Sequence, residues 1–381
     1  MNPLKAHKDL QGKIEVISRK KIQSKSDLSI YYTPGVAEPC LEIEKDESLS
    51  FSYTRRSNLI LVVSDGSAVL GLGNIGSAAA MPVMEGKAML FKEMADVDAI
   101  PLVLNTNDEN EIIKNIKLLE KNFSGVNLED ISAPRCFNIE KKLKEILEIP
   151  VFHDDQHGTA IVLYAALHNA LKLVNKNIQD VKIVINGAGA AGLAISSFLI
   201  ANNAKNIVIC DKNGILDEND KNLNNAQLEM AKITNPNKEK GLLKDALTGA
   251  DVFIGVSVGN IVTIEQVNKM NDKAILFPLA NPISEISYED LEKSNAYIYG
   301  TGSSKYPNQI NNLLAFPGIF KGALNAKAKE ITKEMMQAAS LAIAEYAKPE
   351  INKLIPDALN KDVHKKVSEY VEKAYKGEPL Y

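Results

Sequence analysis

The chain has 381 residues, of which 45% are hydrophobic and 24% are charged, and its formal net charge is −4. This balance is typical of a globular protein with two domains or one large one, and no basic block predicts a nucleic-acid partner. The polar N-terminus lacks the apolar stretch of a secretory signal, and no run of about 18 apolar residues predicts a membrane span. Three scattered cysteines are too few for a disulfide framework and favour a reducing cytoplasm: Cys40, Cys136 and Cys210.

Alternating strand and helix patterns in the first part of the chain predict a mostly parallel sheet. Short apolar runs of strand length are each followed by a segment in which apolar residues recur with helical spacing. Strands are predicted at residues 58–64, 99–104, 125–128 and 150–152, and helices at 79–94, 109–121, 134–147 and 159–174.

A second alternating block predicts strands at 181–185, 206–210, 251–256, 274–279 and 296–299, with a helix at 190–201. The polar stretch 219–240 predicts a surface helix and loop. Beyond Pro317, Ala-rich sequence predicts helices from 321 to 346, which we expect to pack against the first domain or a second subunit. The predicted fold class is α/β, with an N-terminal α/β domain, a doubly wound Rossmann-type domain and a C-terminal helical tail.

The glycine spacing GxGxxG occurs twice, and the second copy has the context of a dinucleotide-binding turn. Gly187, Gly189 and Gly192 follow a strand, open a helix and precede a strand that ends in Asp211. Gly187 permits the tight turn, Gly189 lets the backbone approach a pyrophosphate, and Gly192 lets helix and strand pack closely. A tight turn without a ligand is the alternative, but the complete pattern favours a nicotinamide dinucleotide.

The first copy, Gly71, Gly73 and Gly76, lacks that context because the strand after it does not end at an acid. It is either a close-packing turn or a phosphate contact, and we expect it to lie beside the substrate. In the second copy, Asp211 can accept hydrogen bonds from ribose hydroxyls and would repel a 2′-phosphate, which favours NAD. The neighbouring Lys212 could offset that repulsion, so NADP stays possible.

Acidic residues follow two strands of the first predicted sheet, where ligands of open parallel sheets bind. Glu129 and Asp130 end one strand, and Asp154 and Asp155 end another. Four carboxylates at close range repel each other unless a cation lies among them, and oxygen ligands suit Mg²⁺ or Mn²⁺. Helix capping is the alternative for Asp155. Two histidines straddle the expected turn between strand and helix, and we expect them to be structural or to neighbour the ligands: His153 and His157.

Six segments, in this order, look like malic enzyme signatures. They are YTPGV at 32–36, VLGLGNIG at 69–76, MPVMEGK at 81–87, FHDDQHGTA at 152–160, LANP at 279–282 and NNLLAFPG at 311–318. The resemblance runs from about residue 15 to the C-terminus. It is closest to the short bacterial-type form, without the phosphotransacetylase-like domain that some bacterial relatives carry.

This resemblance implies an NAD(P)-dependent, divalent-metal-dependent enzyme that converts (S)-malate to pyruvate and carbon dioxide. It implies a malate- and metal-binding domain at 1–157, an NAD(P)-binding Rossmann domain at 158–310 and a helical segment at 311–381. A homodimer is expected on the same grounds, whereas the composition predicts a cytoplasmic location without nucleic-acid or membrane partners.

Carried over position by position, the resemblance implies that Glu129, Asp130 and Asp155 hold the divalent metal. Asp154 would lie next to these ligands and orient Lys87, the implied general base. Lys87 must be neutral to accept a proton, and we expect a nearby cation and partial desolvation to favour its neutral form.

The resemblance also implies that Tyr32 is the general acid, which protonates the enolate carbon. Asn281 and Asn312 would hydrogen-bond a malate carboxylate, and Asn281 would also line the cofactor site. Long eukaryotic malic enzymes have a substrate-contacting arginine just before the first glycine loop, where this chain has Ala68. We expect either that another cation, Arg55 or Arg56, replaces this arginine, or that the metal and the asparagines bind the substrate without it.

Three other readings stay open. A two-domain amino-acid dehydrogenase would share this layout and need no metal. A non-catalytic metabolite sensor on the same fold would bind ligands without reducing a cofactor. A malolactic-type reaction would retain the cofactor and release lactate.

Overall fold

The computed structural model describes residues 2–69 and 71–380, so Leu70 of the first glycine loop lies outside the described residues. The chain opens with short helices: α1 (Pro3–Leu10), α2 (Lys25–Tyr31), α3 (Ala37–Lys45) and α4 (Ser50–Tyr53). None of the described residues of α1, α2 or α3 is buried. This N-terminal arm, defined as residues 2–46, therefore contributes little to the hydrophobic core.

The first sheet is parallel, with strand order β2-β1-β3-β4. Its buried strands are flanked by helices, as the alternation in the sequence predicts. Predicted ends differ from the structure by one or two residues, as is usual for helix and strand boundaries, except at the last helix. The elements are β1 (Leu59–Ser64), α5 (Ser77–Ala95), β2 (Asp98–Val103), α6 (Glu109–Leu119), β3 (Gly125–Leu128), α7 (Arg135–Ile146), β4 (Val151–His153) and α8 (Asp154–Val174).

The predicted turn between β4 and its helix is wrong, because α8 begins at Asp154, directly after His153. The prediction placed the start at residue 159 because the apolar periodicity begins there. The first turn of α8 is instead polar, since it carries acidic side chains that face the site described below. The helix also continues without a break through residue 157, where the first predicted domain ends. The division of the chain into domains stays a prediction.

The second sheet has the strand order β10-β9-β8-β5-β6-β7, with β7 antiparallel to β6 and the other pairs parallel. The order reverses at β5, so the carboxyl ends of β5 and β8 form the edge where a dinucleotide binds in such sheets. The elements are β5 (Lys182–Asn186), α9 (Ala190–Ala201), β6 (Asn206–Asp211), β7 (Gly214–Ile215), α10 (Asn225–Ile233), α11 (Leu243–Leu247), β8 (Val252–Gly255), α12 (Ile264–Val267), β9 (Ala274–Pro278), α13 (Tyr288–Lys293) and β10 (Ala296–Tyr299).

Three C-terminal helices join the two sheets into one hydrophobic core: α14 (Phe316–Asn325), α15 (Lys333–Tyr346) and α16 (Lys361–Lys376). In α14, the Phe316 ring lies 4.8 Å from Phe91 of α5, and Phe320 lies 5.9 Å from Phe152 of β4. The side-chain amide of Asn169 in α8 donates to the Ala344 carbonyl at 2.9 Å. These contacts place α14 against the first sheet's helices, next to the acids that follow β3 and β4. Among the described residues, no helix is long and apolar enough to cross a bilayer.

Candidate metal and cofactor site

Three carboxylates converge at the carboxyl edge of the first sheet. Glu129 and Asp130 follow β3, and Asp155 lies in the first turn of α8 after β4. Neighbouring registers pair Leu128 with His153, so the acids after the two strands meet. One oxygen from each acid lies within 4.8 Å of the others, and the Asp130 backbone N–H donates to Asp155 Oδ2 at 2.8 Å. This set of oxygen donors fits Mg²⁺ or Mn²⁺.

Burying these acids in their charged form costs free energy unless a positive charge lies nearby. Removal from water raises the pKa of Glu129 to about 7 and that of Asp155 to about 6. Burial likewise raises the pKa of Asp154 to about 7. One ammonium group cannot balance so many buried carboxylates, which is the situation that a bound divalent cation relieves.

Lys87 of α5 points into the same cluster and is only 7% exposed. Its Nζ lies 2.6 Å from Asp154 Oδ2 and 2.8 Å from Glu129 Oε1. The Phe316 ring covers this ammonium, with its centroid 4.1 Å from Nζ. Asp154 Oδ2 also accepts a hydrogen bond from Nδ2 of Asn312 at 2.5 Å. Lys87, its carboxylate partner and an amide are thus brought together beside the three acids that could hold a metal ion.

The expected neutral form of Lys87 is not what the surrounding protein groups favour. Burial alone lowers the pKa of this amine, but the charges of Asp154, Glu129 and Asp155 outweigh burial and hold the pKa above its ordinary value. The contact of Glu129 with Nζ was not predicted from the sequence, whereas a nearby cation was expected to favour the neutral amine. A neutral Lys87 therefore requires positive charge beside the acids.

The second glycine loop has the geometry of a dinucleotide turn. Gly187 has a φ of 123°, and a Cβ there would lie 2.6 Å from the Val256 carbonyl oxygen. A Cβ on Gly192 would lie 1.8 Å from the Gly187 carbonyl oxygen, so helix and strand pack too closely for any side chain. A Cβ on Gly189 meets no described atom within 4 Å, which leaves the start of α9 open to a ligand. Asp211 ends β6, at the position that contacts ribose in such folds.

The first glycine loop joins the two halves of the site. Gly71, Gly73 and Gly76 all have φ between 73° and 77°, which disfavours other residues. A Cβ on Gly71 would lie 3.4 Å from Cδ of Pro282 and 3.8 Å from the Asn281 carbonyl oxygen. The loop therefore lies between the first sheet and the Asn281 turn after β9, whose Nδ2 donates to the Leu279 carbonyl at 3.1 Å.

Comparison with known proteins identifies this combination. Residues 11–115 match the family model "Malic enzyme, N-terminal domain", and residues 156–374 match "Malic enzyme, NAD binding domain". The chain belongs to the malic enzyme family. It is 51% identical over 375 residues to the bifunctional malic/malolactic enzyme of Bacillus subtilis, covering 97% of this chain and 92% of that one. It is 52% identical over 369 residues to the NAD-dependent malic enzyme of Geobacillus stearothermophilus, covering 96% and 77%.

A solved malic enzyme has the same fold. The crystal structure of the NAD-dependent malic enzyme of Thermotoga maritima superposes with a TM-score of 0.95 at 50% sequence identity. The superposition covers 98% of this chain and 99% of that chain. The predicted fold class, an α/β substrate domain with a Rossmann-type domain and a helical C-terminus, is thereby confirmed.

Within one chain, neither Arg55 nor Arg56 lies where the missing malic enzyme arginine would be. Both precede β1, whereas the metal-binding acids follow the opposite ends of the strands, a strand length or about 20 Å away. Arg55 forms an ion pair with Asp98, and Arg56 donates to the Phe123 carbonyl at 3.2 Å. Both side chains therefore make their contacts at the amino ends of the strands, opposite the acids.

A different arginine braces the carboxyl edge. Arg135, at the start of α7, lies 2.8 Å from Asp65 Oδ2 and donates to Ser67 Oγ at 2.8 Å. It also donates to the Asn107 carbonyl at 3.0 Å, so it ties together the loops after β1 and β2. These bonds fix the backbone beside Asp130 rather than present a free cation to a substrate.

Tyr32 lies at the surface of the N-terminal arm. It is the C-cap residue directly after α2, it is 66% exposed, and its backbone bonds to Leu28 and Val36 of its own arm. Among residues 2–69 and 71–380, no hydrogen bond, ion pair or ring contact joins it to Lys87. The structure therefore brings together all the predicted metal and base residues, but not the predicted general acid.

Sequence reasoning missed two residues that shape the base. A Cβ on Gly158 would lie 1.9 Å from Asp154 Oδ1, so glycine is what lets the Asp154 carboxylate fold back along α8. Phe316 covers the Lys87 ammonium from the α14 side. Both lie within the matched malic enzyme segments, and the signatures at 152–160 and 311–318 contain them, but neither was assigned a role from the sequence.

Proposed function

We propose that this malic enzyme oxidises (S)-malate and decarboxylates it to pyruvate and carbon dioxide, with NAD(P) as the hydride acceptor. The observation that carries this proposal is the Lys87–Asp154 pair, placed beside three carboxylates that fit a divalent cation. The second glycine loop, at the edge of the neighbouring sheet, supports the cofactor. A purely metal-independent dehydrogenase gives no reason for this acidic cluster.

The proposed metal ligands are Glu129, Asp130 and Asp155. A Mg²⁺ or Mn²⁺ ion held there supplies Lewis-acid polarisation of substrate oxygens and compensates the buried negative charge. Lys87 is positioned to accept the proton of the malate hydroxyl, and Asp154 holds its Nζ at 2.6 Å. The Phe316 ring and the buried wall of α14 exclude water from this amine.

The proposed substrate contacts come from two asparagines on different elements. Asn312 precedes α14 and already donates one amide hydrogen to Asp154, leaving its other donor for a carboxylate. Asn281 follows β9, and its carbonyl lies beside the first glycine loop; we propose that its side chain contacts malate and the nicotinamide. Together with the cation, these amides take the place of the arginine that is absent at Ala68.

The proposed cofactor preference is NAD. Asp211 ends β6, and its Oδ1 accepts the Asn213 backbone N–H at 2.7 Å, which fixes a carboxylate at the expected ribose position. That negative charge disfavours a 2′-phosphate. Lys212, directly beside it, is the residue through which some NADP use would persist.

We propose that the protein acts as a homodimer in which the N-terminal arm packs on a second copy. The arm exposes many large apolar side chains, an arrangement that marks protein–protein contact surfaces. The most exposed include Leu4 at 83%, Val16 at 93%, Ile17 at 73% and Ile30 at 60%.

The same arrangement supports a shared site. The segment before α2 and the helix after the arm both lie at the amino ends of the strands of the first sheet, opposite the acids. Arg19 and Arg55 line one cavity there, and α4 leads into β1. Tyr32 lies between these two points along the chain and is 66% exposed. We therefore propose that the partner's Tyr32 supplies the acid that protonates the enolate carbon.

We also propose a cytoplasmic location. The three cysteines are all free thiols, and two of them are buried, which suits a reducing compartment.

The test of the proposed function is an absorbance assay for reduced nicotinamide with malate, each cofactor in turn, and Mn²⁺ added or chelated. The proposal expects metal-dependent reduction, faster with NAD, and equimolar pyruvate. Full activity after exhaustive chelation would instead support the metal-independent dehydrogenase. Because the Bacillus subtilis relative is named a malic/malolactic enzyme, lactate is measured in the same samples, and lactate without net cofactor reduction would identify that reaction.

A further inference from the structure

A carboxylate outside the proposed ligand set forms hydrogen bonds to the first turn of α8, which carries Asp154 and Asp155. Glu140 lies midway along α7 and is 6% exposed. Its Oε1 lies 2.8 Å from His157 Nε2, and its Oε2 lies 3.0 Å from the same atom. The backbone N–H of His153 donates to Glu140 Oε1 at 3.3 Å. Glu140 therefore holds α8 on both sides of Asp154 and Asp155.

The surroundings of Glu140 favour its charged form. Burial would raise the pKa of this carboxyl, but the charge and hydrogen bond of His157, with the charge of Lys144, hold the pKa well below its ordinary value. Lys144 lies one turn along α7, with Nζ 2.8 Å from Glu140 Oε1. A negative charge here also faces the first turn of a 21-residue helix, where it interacts favourably with the helix dipole.

The start of α8 needs such a partner. Its N-cap residue, His153, makes no side-chain capping bond, so the first turn relies on other groups for its position. The His157 ring packs against Phe152, with centroids 5.4 Å apart, which fixes the ring between β4 and α7. The Glu140–His157 pair thus joins α7, β4 and the first turn of α8 into one rigid unit.

We propose that Glu140 is a positioning residue for the metal, acting through His157 and the His153 backbone to hold Asp155 in its binding geometry. This inference rests on the proposed metal-binding function of the acids. Groups that orient metal ligands typically change metal affinity by about 10- to 100-fold when they are removed. The bonds of Glu140 go to the His157 ring and the His153 backbone, so its effect reaches the metal through the backbone of α8.

The experiment is a Mn²⁺ titration of the full chain, followed by electron paramagnetic resonance of free Mn²⁺, without substrate. Glu140→Gln keeps the shape of the side chain but removes its charge. The matched control is Glu145→Gln on the same helix, whose side chain is 50% exposed and pairs with Lys142 at 3.1 Å. NAD binding, measured by fluorescence, reports in each variant whether the second sheet is intact.

The proposal expects Glu140→Gln to weaken Mn²⁺ binding by about 10- to 100-fold, with NAD affinity unchanged and Glu145→Gln indistinguishable from the parent. A folded Glu140→Gln protein that binds Mn²⁺ within about twofold of the parent overturns the proposal. If Glu140→Gln does not fold, His157→Gln decides in its place, because that ring is partly exposed and lies outside the core. A parent protein that binds no Mn²⁺ refutes the proposed function itself, which separates the two failures.

Discussion

The Nζ of Lys87 lies 2.6 Å from Oδ2 of Asp154, and neither side chain exposes more than 8% of its surface. The pair joins two elements, α5 and α8, that are separated by three strands in the chain. In water an ion pair of this kind contributes little, but a buried pair with a further carboxylate at 2.8 Å is strongly coupled. The proposed chemistry depends on how that coupling changes when positive charge enters the site.

Lys87→Ala is expected to lower kcat by about 10²- to 10⁴-fold, the usual contribution of a positioned base. Mn²⁺ affinity should be retained or strengthened, because the change removes a positive charge from the acidic cluster. Steady-state kinetics and Mn²⁺ titration on the same samples measure both effects. Lys92→Ala, on the exposed side of the same helix, is the control.

The contrasting variant is Asp155→Ala, which removes a proposed ligand and should weaken Mn²⁺ binding. Asp180→Ala, in an exposed turn, should leave it unchanged. Normal malate oxidation by Lys87→Ala would refute the assignment of the base. An unchanged Mn²⁺ titration with Asp155→Ala would remove Asp155 from the ligand set.

Gly158→Ala should abolish most turnover while α8 stays folded. Alanine in a helix is intrinsically more favourable than glycine by about 1 kcal/mol, so helix propensity is not the cause of any loss. The added Cβ would lie 1.9 Å from Asp154 Oδ1, so the carboxylate must swing away from Lys87. Kinetics, circular dichroism and NAD binding together test this, and wild-type kcat in a folded variant would show that Asp154 does not need its observed position.

The stability of the protein should depend on pH and on Mn²⁺ together. The pKa values of Glu129, Asp154 and Asp155 are raised by burial to about 7, 7 and 6, so the folded state binds more protons than the unfolded state between about pH 4 and 7. Stability therefore falls as the pH rises through this window, since the acids become charged while buried. Added Mn²⁺ binds the charged acids and should offset the loss.

Thermal unfolding with and without Mn²⁺, from pH 5 to pH 8, checks this linkage. The increase in Tm caused by Mn²⁺ should grow steadily with pH, and Asp155→Ala should flatten the trend. An increase in Tm that is the same at every pH would show that these carboxylates do not bind the ion in their charged form.

Mixing two inactive variants tests the proposed sharing of the site across a dimer. Tyr32→Phe and Lys87→Ala homodimers should each be nearly inactive. After unfolding together and refolding, half of the dimers carry one intact site, so about a quarter of the parent activity should return. Each variant refolded alone is the control, and no recovery in a mixture shown to contain heterodimers would place Tyr32 in its own subunit's site or outside the chemistry.

Much of this architecture could be predicted from the sequence, because buried parallel strands are apolar runs that alternate with helices. The strand Gly125–Leu128 and the helix Ala190–Ala201 have their predicted bounds. The meeting of Glu129, Asp130 and Asp155 also followed from the rule that ligands bind at the carboxyl ends of parallel strands.

What the sequence did not predict involves contacts between distant elements. The start of α8 was missed because its first turn is polar, and polarity hides helical periodicity. The contact of Lys87 with Glu129 was not predicted because it joins α5 to the end of β3. The sequence did not predict the burial of Glu140 against His157, because an acidic residue on an amphipathic helix is normally solvated.

The most direct test of the central claim is anomalous diffraction from crystals grown with Mn²⁺ and NAD. The account predicts one strong manganese peak in contact with carboxylate oxygens of Glu129, Asp130 and Asp155, with the nicotinamide ring facing it across the first glycine loop. A manganese peak elsewhere, or a nicotinamide bound far from that ion, would contradict the account.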